Sequence, residues 1–215
     1  HYVIPFFFSE DYTRCLPLVA LQYHDVEIRI KCRDGYTPAG TPKVWGNYIY
    51  LDTEERKFFT DNEHDLLFTQ TQYQLATNTD TEIDLTYFNH PVKSIHLVSG
   101  KATGNDWDSE FTFSKSSLYI NGTPLFEETS PVYHHTVVPE MHSSDLPDDI
   151  LEDLPTFTWP FCISLSRSNP TGTLNFSRID NAKLAITGPS GGNSLHRVYA
   201  VNYNILRIKQ GMGGV

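Results

Sequence analysis

The spacing of apolar positions along the chain is that of strands. In "DVEIRIKCR", Val26, Ile28, Ile30 and Cys32 alternate with Glu27, Arg29, Lys31 and Arg33, so a strand here would carry carbon on one face and charge on the other. "HYVIPFFF" at the start is nearly continuous apolar sequence, the pattern of a strand covered on both faces or entering an interface. Further strands are predicted at "WGNYIYL" (45 to 51), "LLFTQTQYQL" (66 to 75), "EIDLTYF" (82 to 88), "KSIHLV" (93 to 98), "SLYING" (117 to 122) and "PFCISLS" (160 to 166). The last two are the longest, "GTLNFSRIDNAKLAI" (172 to 186) and "LHRVYAVNYNILRIK" (195 to 209). A shift in apolar parity near Ser177 and Arg178 predicts a bulge or a change of burial, and "TGPSGGN" between the two predicts a hairpin. Only "TEERKFFT" (53 to 60) and "DLPDDILEDL" (145 to 154) have helical spacing, each enough for one or two turns in a loop. About eight strands with irregular connections imply an all-β, two-sheet sandwich or jelly roll.

Composition narrows the function classes. A formal net charge of −10 repels a phosphate backbone, so direct nucleic-acid binding is not expected. The charge is uneven. Residues 140 to 153 hold six acids and no Lys or Arg, whereas 154 to 215 carry Arg167, Arg178, Lys183, Arg197, Arg207 and Lys209 against Asp180 alone. That basic third is expected to face acidic surface of its own chain or of a neighbour. Three scattered cysteines, Cys15, Cys32 and Cys162, do not form a disulfide framework and fit a reducing compartment. No run of about 18 apolar residues exists, so no membrane insertion is expected. The chain starts at His1 without a methionine, and missing N-terminal sequence is the expectation.

Few residues offer chemistry, and no catalytic residue or cofactor is predicted. "YHHTVVPEMH" holds His134, His135 and His142, weak metal candidates, because adjacent strand residues point to opposite faces and one ion could hardly take both His134 and His135. The pairs Glu54/Glu55, Glu127/Glu128 and Asp148/Asp149 lie in polar stretches and read as surface solvation, not as a glycosidase pair held across a cleft. "GMGG" at 211 to 214 lacks the helix a phosphate cradle needs. Asn121 and Asn175 sit in glycosylation tripeptides; both are low-probability sites, Asn121-Gly122 being a tight-turn dipeptide and Asn175 a residue of a predicted strand.

Taken in order, "LPLVALQYHDVEIRI", "DLLFTQTQYQ", "LTYFNHPVKSIHLV", "SLYINGTPLF", "NPTGTLNFSRIDNAKLAI" and "VYAVNYNILRIKQGMGGV" resemble the C-terminal half of the major capsid proteins of large nucleocytoplasmic DNA viruses, from about Ile4 to Val215. The resemblance implies an eight-stranded antiparallel jelly-roll sandwich with short helices in loops, the second half of a double jelly roll. Residues 1–215 would form a single jelly-roll domain, with the N-terminal jelly roll absent from this chain. It also implies a non-enzymatic virion protein, assembled in the host cytoplasm, that trimerises into pseudo-hexagonal capsomers of an icosahedral shell. Its partners would be its own copies, neighbouring capsomers and minor capsid proteins. On this view Phe6, Phe7 and Phe8 pack in the core or between jelly rolls, and Arg178, Arg197 and Arg207 answer acids within the chain or across a subunit boundary. Two alternatives stay open: a carbohydrate-binding jelly-roll module using Trp45, Trp107 and Trp159 for stacking, and a cupin-like metalloenzyme built on the three histidines.

Overall fold

A computed structural model describes residues 6–9, 11–31, 43–77, 80–99, 111–143, 156–190 and 195–215. Contacts divide the chain into two compact units, His1–Leu67 with Ile205–Val215, and Phe68–Asn204.

Two sheets share one core between their inner faces, and this core lies in the second unit. The first sheet has the order β1 (His64–Thr77), β9 (Leu195–Lys209), β3 (Pro91–Ser99), β6 (Thr156–Pro160), with the two-residue β7 (Leu174–Asn175) on β3. The second runs β2 (Glu82–Asp84), β8 (Ala182–Thr187), β4 (Lys115–Ile120), β5 (Thr123–Thr129). Every pairing with a determined register is antiparallel, and the chain crosses between the sheets from β1 to β2, β2 to β3, β3 to β4, β5 to β6, β7 to β8 and β8 to β9, in the jelly-roll manner. Alternation explains the core. Ala182, Leu184 and Ile186 of β8 face inward opposite Ile95, Leu97, Phe157, Trp159, Val198 and Ala200 of the first sheet, all buried. Burial of each large side chain contributes roughly 1.5–3 kcal/mol. Phe111 and Phe113 close the core against Phe157, with ring centroids 6.1 and 4.7 Å away. Asn121 (φ 48°) and Gly122 (φ 80°) form the two-residue turn between β4 and β5, as their dipeptide predicts.

In the first unit α1 (Thr53–Asp61) starts at a capping box: Glu55 N donates to Asp52 Oδ1 at 2.8 Å and Asp52 N to Glu55 Oε2 at 3.0 Å. Gln210 and Gly211, both at positive φ, turn β9 into β10 (Met212–Gly214), so "GMGG" is a hairpin strand. Gly211 is required there, since a Cβ would stand 2.7 Å from the Tyr23 ring.

Several predicted elements are corrected. Residues 25–31 form no strand, and Val26, Ile28 and Ile30 are exposed. Alternation says where side chains would point, but a strand also needs a neighbour for its backbone donors and acceptors, and the described residues supply none. Residues 45–50 likewise lie outside any sheet, with Trp45 and Tyr50 each 88% exposed. Phe7–Ser9 is a 3-10 turn; the Phe8 ring stacks on Phe6 and meets Phe7 edge-on, all three are half-buried, and none is a core residue. The predicted strand at 160 to 166 is a loop after Pro160. β8 and β9 are not a hairpin, since β8 pairs with β2 and β4 while β9 pairs with β3. The parity shift at Ser177 is a 3-10 turn, Phe176–Arg178. The predicted helix at 145 to 154 lies outside the described residues.

Candidate functional site

The histidine-bearing stretch is helical. A π turn, Tyr133–Val137, runs into α2 (Val138–His142) and lies along the outer edge of β6. On a helix successive side chains diverge by only about 100°, so two adjacent histidines can reach one strand edge. Thr156 and Thr158, two apart on β6, present their carbonyls to that edge. His135 Nδ1 donates to Thr156 O at 3.0 Å, and His134 Nδ1 donates to Thr158 O at 3.0 Å. Beyond the strand, His142 Nδ1 donates to Ile163 O at 3.1 Å and His142 O accepts from Leu165 N at 2.6 Å. His134 is fully buried, its ring 4.4 Å from Trp159 and 5.3 Å from Tyr133. Because its Nδ1 carries the proton for a carbonyl, its Nε2 accepts from the Thr129 hydroxyl at 2.5 Å. Burial pushes the His134 pKa down to about 4, with the Thr158 bond opposing in part. Each histidine is thus committed to a different backbone carbonyl, and among the described residues no group of three His, Cys, Asp or Glu could hold a metal.

A second wired region is the loop from Phe161 to Gly172. Lys93, 5% exposed, donates from Nζ to Leu165 O at 2.6 Å and Arg167 O at 3.0 Å, with the Tyr203 ring centroid 5.8 Å away. Burial lowers its pKa. Thr171 Oγ1 accepts from Ser164 N at 3.0 Å, and Gly172 lies so close to Phe161 that a Cβ would stand 2.7 Å from its carbonyl oxygen. Cys162 is buried there, and burial raises its thiol pKa.

Two of the quoted stretches, "FNHPVK" and "NFSRIDN", meet. His90 (φ 69°) donates from N to Ser177 Oγ at 2.8 Å and accepts at O from Phe176 N at 3.0 Å. Asn175 Oδ1 accepts from Ser177 N at 3.1 Å, capping the 3-10 turn that buries Phe176. Asn121 Oδ1 accepts from Asn181 N at 3.1 Å. Both tripeptide asparagines therefore have structural tasks.

The remaining candidates are dispersed. Arg207 forms a bidentate pair with Asp65 at 2.8 and 2.9 Å, and Lys183 pairs with Glu82 at 2.9 Å, so part of the basic third is answered within the chain. Arg178 and Arg197 are exposed. Glu55 belongs to the capping box and Glu128 pairs with Lys115 at 2.6 Å; Asp148 and Asp149 lie outside the described residues. Trp159 is buried and cannot stack on a sugar, Trp45 is exposed, and Trp107 lies outside the described residues. Sequence reasoning missed Lys93, which is buried at the register shift between Val92 and Ser94. It also missed Gln72, which donates from Nε2 to the buried Asn202 at 2.9 Å and to Asn89 O at 2.8 Å. The available signal was parity: in "PVKSIHLV" Lys93 alternates with Ile95 and Leu97, buried positions of that strand.

Comparison with known proteins supplies the context. Residues 55–214 match the family described as large eukaryotic DNA virus major capsid protein, and residues 2–52 match the major capsid protein N-terminus. The chain is 33% identical over 238 residues to the major capsid protein of Pyramimonas orientalis virus, covering 99% of this chain and 59% of that protein. It is 26% identical over 287 residues to the major capsid protein of Paramecium bursaria Chlorella virus 1, covering 98% of this chain and 64% of that protein. The chain thus spans about three fifths of the length of the curated relatives it matches. Its fold is similar to the crystal structure of PBCV-1 VP54, as fitted into a reconstruction of the virophage Sputnik, with TM-score 0.72, 24% identity, and 98% of this chain and 68% of that chain covered.

Proposed function

The chain belongs to the large eukaryotic DNA virus major capsid protein family, and on that premise we propose that it is part of a structural shell protein with no catalytic task, which assembles with its own copies into an icosahedral virion. One observation carries the reading: the family match over 55–214 takes in every described strand of the two facing sheets. A sandwich suits the task, since it holds edges and loops at fixed positions and so offers neighbours rigid surfaces.

In this proposal three full-length polypeptides form a pseudo-hexagonal capsomer, capsomers tile the shell, minor capsid proteins bind them, and assembly occurs in the host cytoplasm. The jelly roll running from β1 to β9 is the second of two, and residues 2–52 are the closing part of the first rather than of this one. The separate family match over 2–52 supports that division, as does the run of exposed apolar side chains, Val26, Ile28, Ile30, Trp45, Tyr48 and Tyr50, in segments with no sheet partner among the described residues. Light scattering on the full-length polypeptide tests the proposal. A trimer is expected, and a strictly monomeric product that never assembles would overturn it.

A further inference from the structure

Among the described residues β6 ends its sheet, and an open strand edge is a template on which another chain can pair. Here the edge is covered by a short helical segment held on by imidazoles: His135 on Thr156 O, His134 on Thr158 O and His142 on Ile163 O. We propose that Tyr133–His142 is an acid-released latch, closed over β6 while His134 is neutral and opened when His134 takes a proton.

The geometry shows where the proton acts. Nδ1 of His134 is a donor in either state, so its bond to Thr158 O survives protonation and is strengthened by it, which offsets part of the cost of the charge. Nε2 changes role. It accepts from the Thr129 hydroxyl when neutral and becomes a donor when charged, and Thr129 can then turn its own proton to Ser116 O, 3.2 Å away. The hydrogen bonds can therefore rearrange, but the charge meets no counter-ion among the described residues. The ring is fully buried among Trp159, Phe126 and Tyr133, and a buried cation needs a partner. Among the described residues, none of the facing elements offers one. Thr156–Pro160 has no titratable side chain, Glu128 of β5 is engaged by Lys115 of β4 at 2.6 Å, and Glu127 is exposed. On its own segment lie Tyr133, His135, Glu140 and His142, none of them hydrogen-bonded to the ring in a described bond. Release puts the imidazolium in water, and the segment is short enough to leave without the sandwich unfolding.

The sign follows from burial. The closed form holds His134 at about 4 and the open form at the ordinary 6.5, so closure is fully favoured above 6.5 and is lost as pH falls from there towards 4. Between about pH 7.5 and pH 5 the opening equilibrium rises roughly 30-fold. Hydrogen exchange on the whole chain, corrected for the intrinsic pH dependence, reads this directly. The expected result is a fall in protection of at least about tenfold, reversible, shared by 133–142 and the edge amide of Thr158, while Leu184 in β8 keeps its protection. His134→Gln keeps a donor for Thr158 O but cannot titrate, and should abolish the step. The latch is overturned if protection does not change, if β8 opens at the same pH, or if the variant retains the step. Should the variant fail to fold, an NMR titration of the unmodified protein decides: His134 titrating at its ordinary pH without any exchange step also overturns it.

Discussion

Replacing Gly172 with alanine separates backbone conformation from steric contact at the "NPTG" turn. Gly172 has φ +144°, a region L-residues scarcely occupy, and its missing Cβ leaves room for Phe161: a Cβ would stand 2.7 Å from that carbonyl oxygen and 3.1 Å from the Cα of Cys162. Both obstacles are backbone, so no side chain can swing aside. Gly122 is the internal control, with φ +80° and no atom within 4 Å of the same Cβ. Gly122→Ala should cost only the left-handed penalty, about 1–2 kcal/mol. Gly172→Ala carries a strain of about 1–3 kcal/mol together with the displacement of Phe161 and Cys162, about 3–5 kcal/mol in all. Urea denaturation followed by circular dichroism gives both numbers, and hydrogen exchange should place the Gly172→Ala damage at 161–172. Equal losses in the two variants would refute the reasoning.

Lys93→Met leaves the carbonyls of Leu165 and Arg167 without their donor; a loss of about 1–3 kcal/mol in urea melts is expected, with faster exchange in 161–171 and unchanged exchange in β8. Cys162, buried and with its thiol pKa raised, should alkylate in the native protein at least about tenfold more slowly than in urea, read peptide by peptide by mass spectrometry; equal rates would contradict its placement. Leu184→Ala, at the centre of the core, should cost about 2–5 kcal/mol in the same melts.

How much of this was legible depended on whether the signal was local. β1, β3, β8 and β9 announce themselves by alternation, and Asn121-Gly122 dictates its turn through backbone chemistry that needs no tertiary partner. Val26 to Ile30 alternates just as well and yet lies in no sheet, because pairing is a property of the neighbour. The supposed hairpin between β8 and β9 failed for the related reason that a Gly-rich connection permits a return into the same sheet or a crossing to the other. The histidines were judged with strand geometry in a segment that is helical, so their shared attachment to one edge was invisible. Lys93 alternates with the buried Ile95 and Leu97, but its partners, the carbonyls of Leu165 and Arg167, lie 72 and 74 residues away and leave no local signal.

The central claim, that this chain is shell material, is tested most directly by cryo-electron microscopy of the virions whose genome encodes it. The account predicts that the capsomers of the icosahedral shell contain this jelly roll, with β1-β9-β3-β6 and β2-β8-β4-β5 as its two sheets. A shell whose capsomers are built from another polypeptide, with this chain absent, would contradict it.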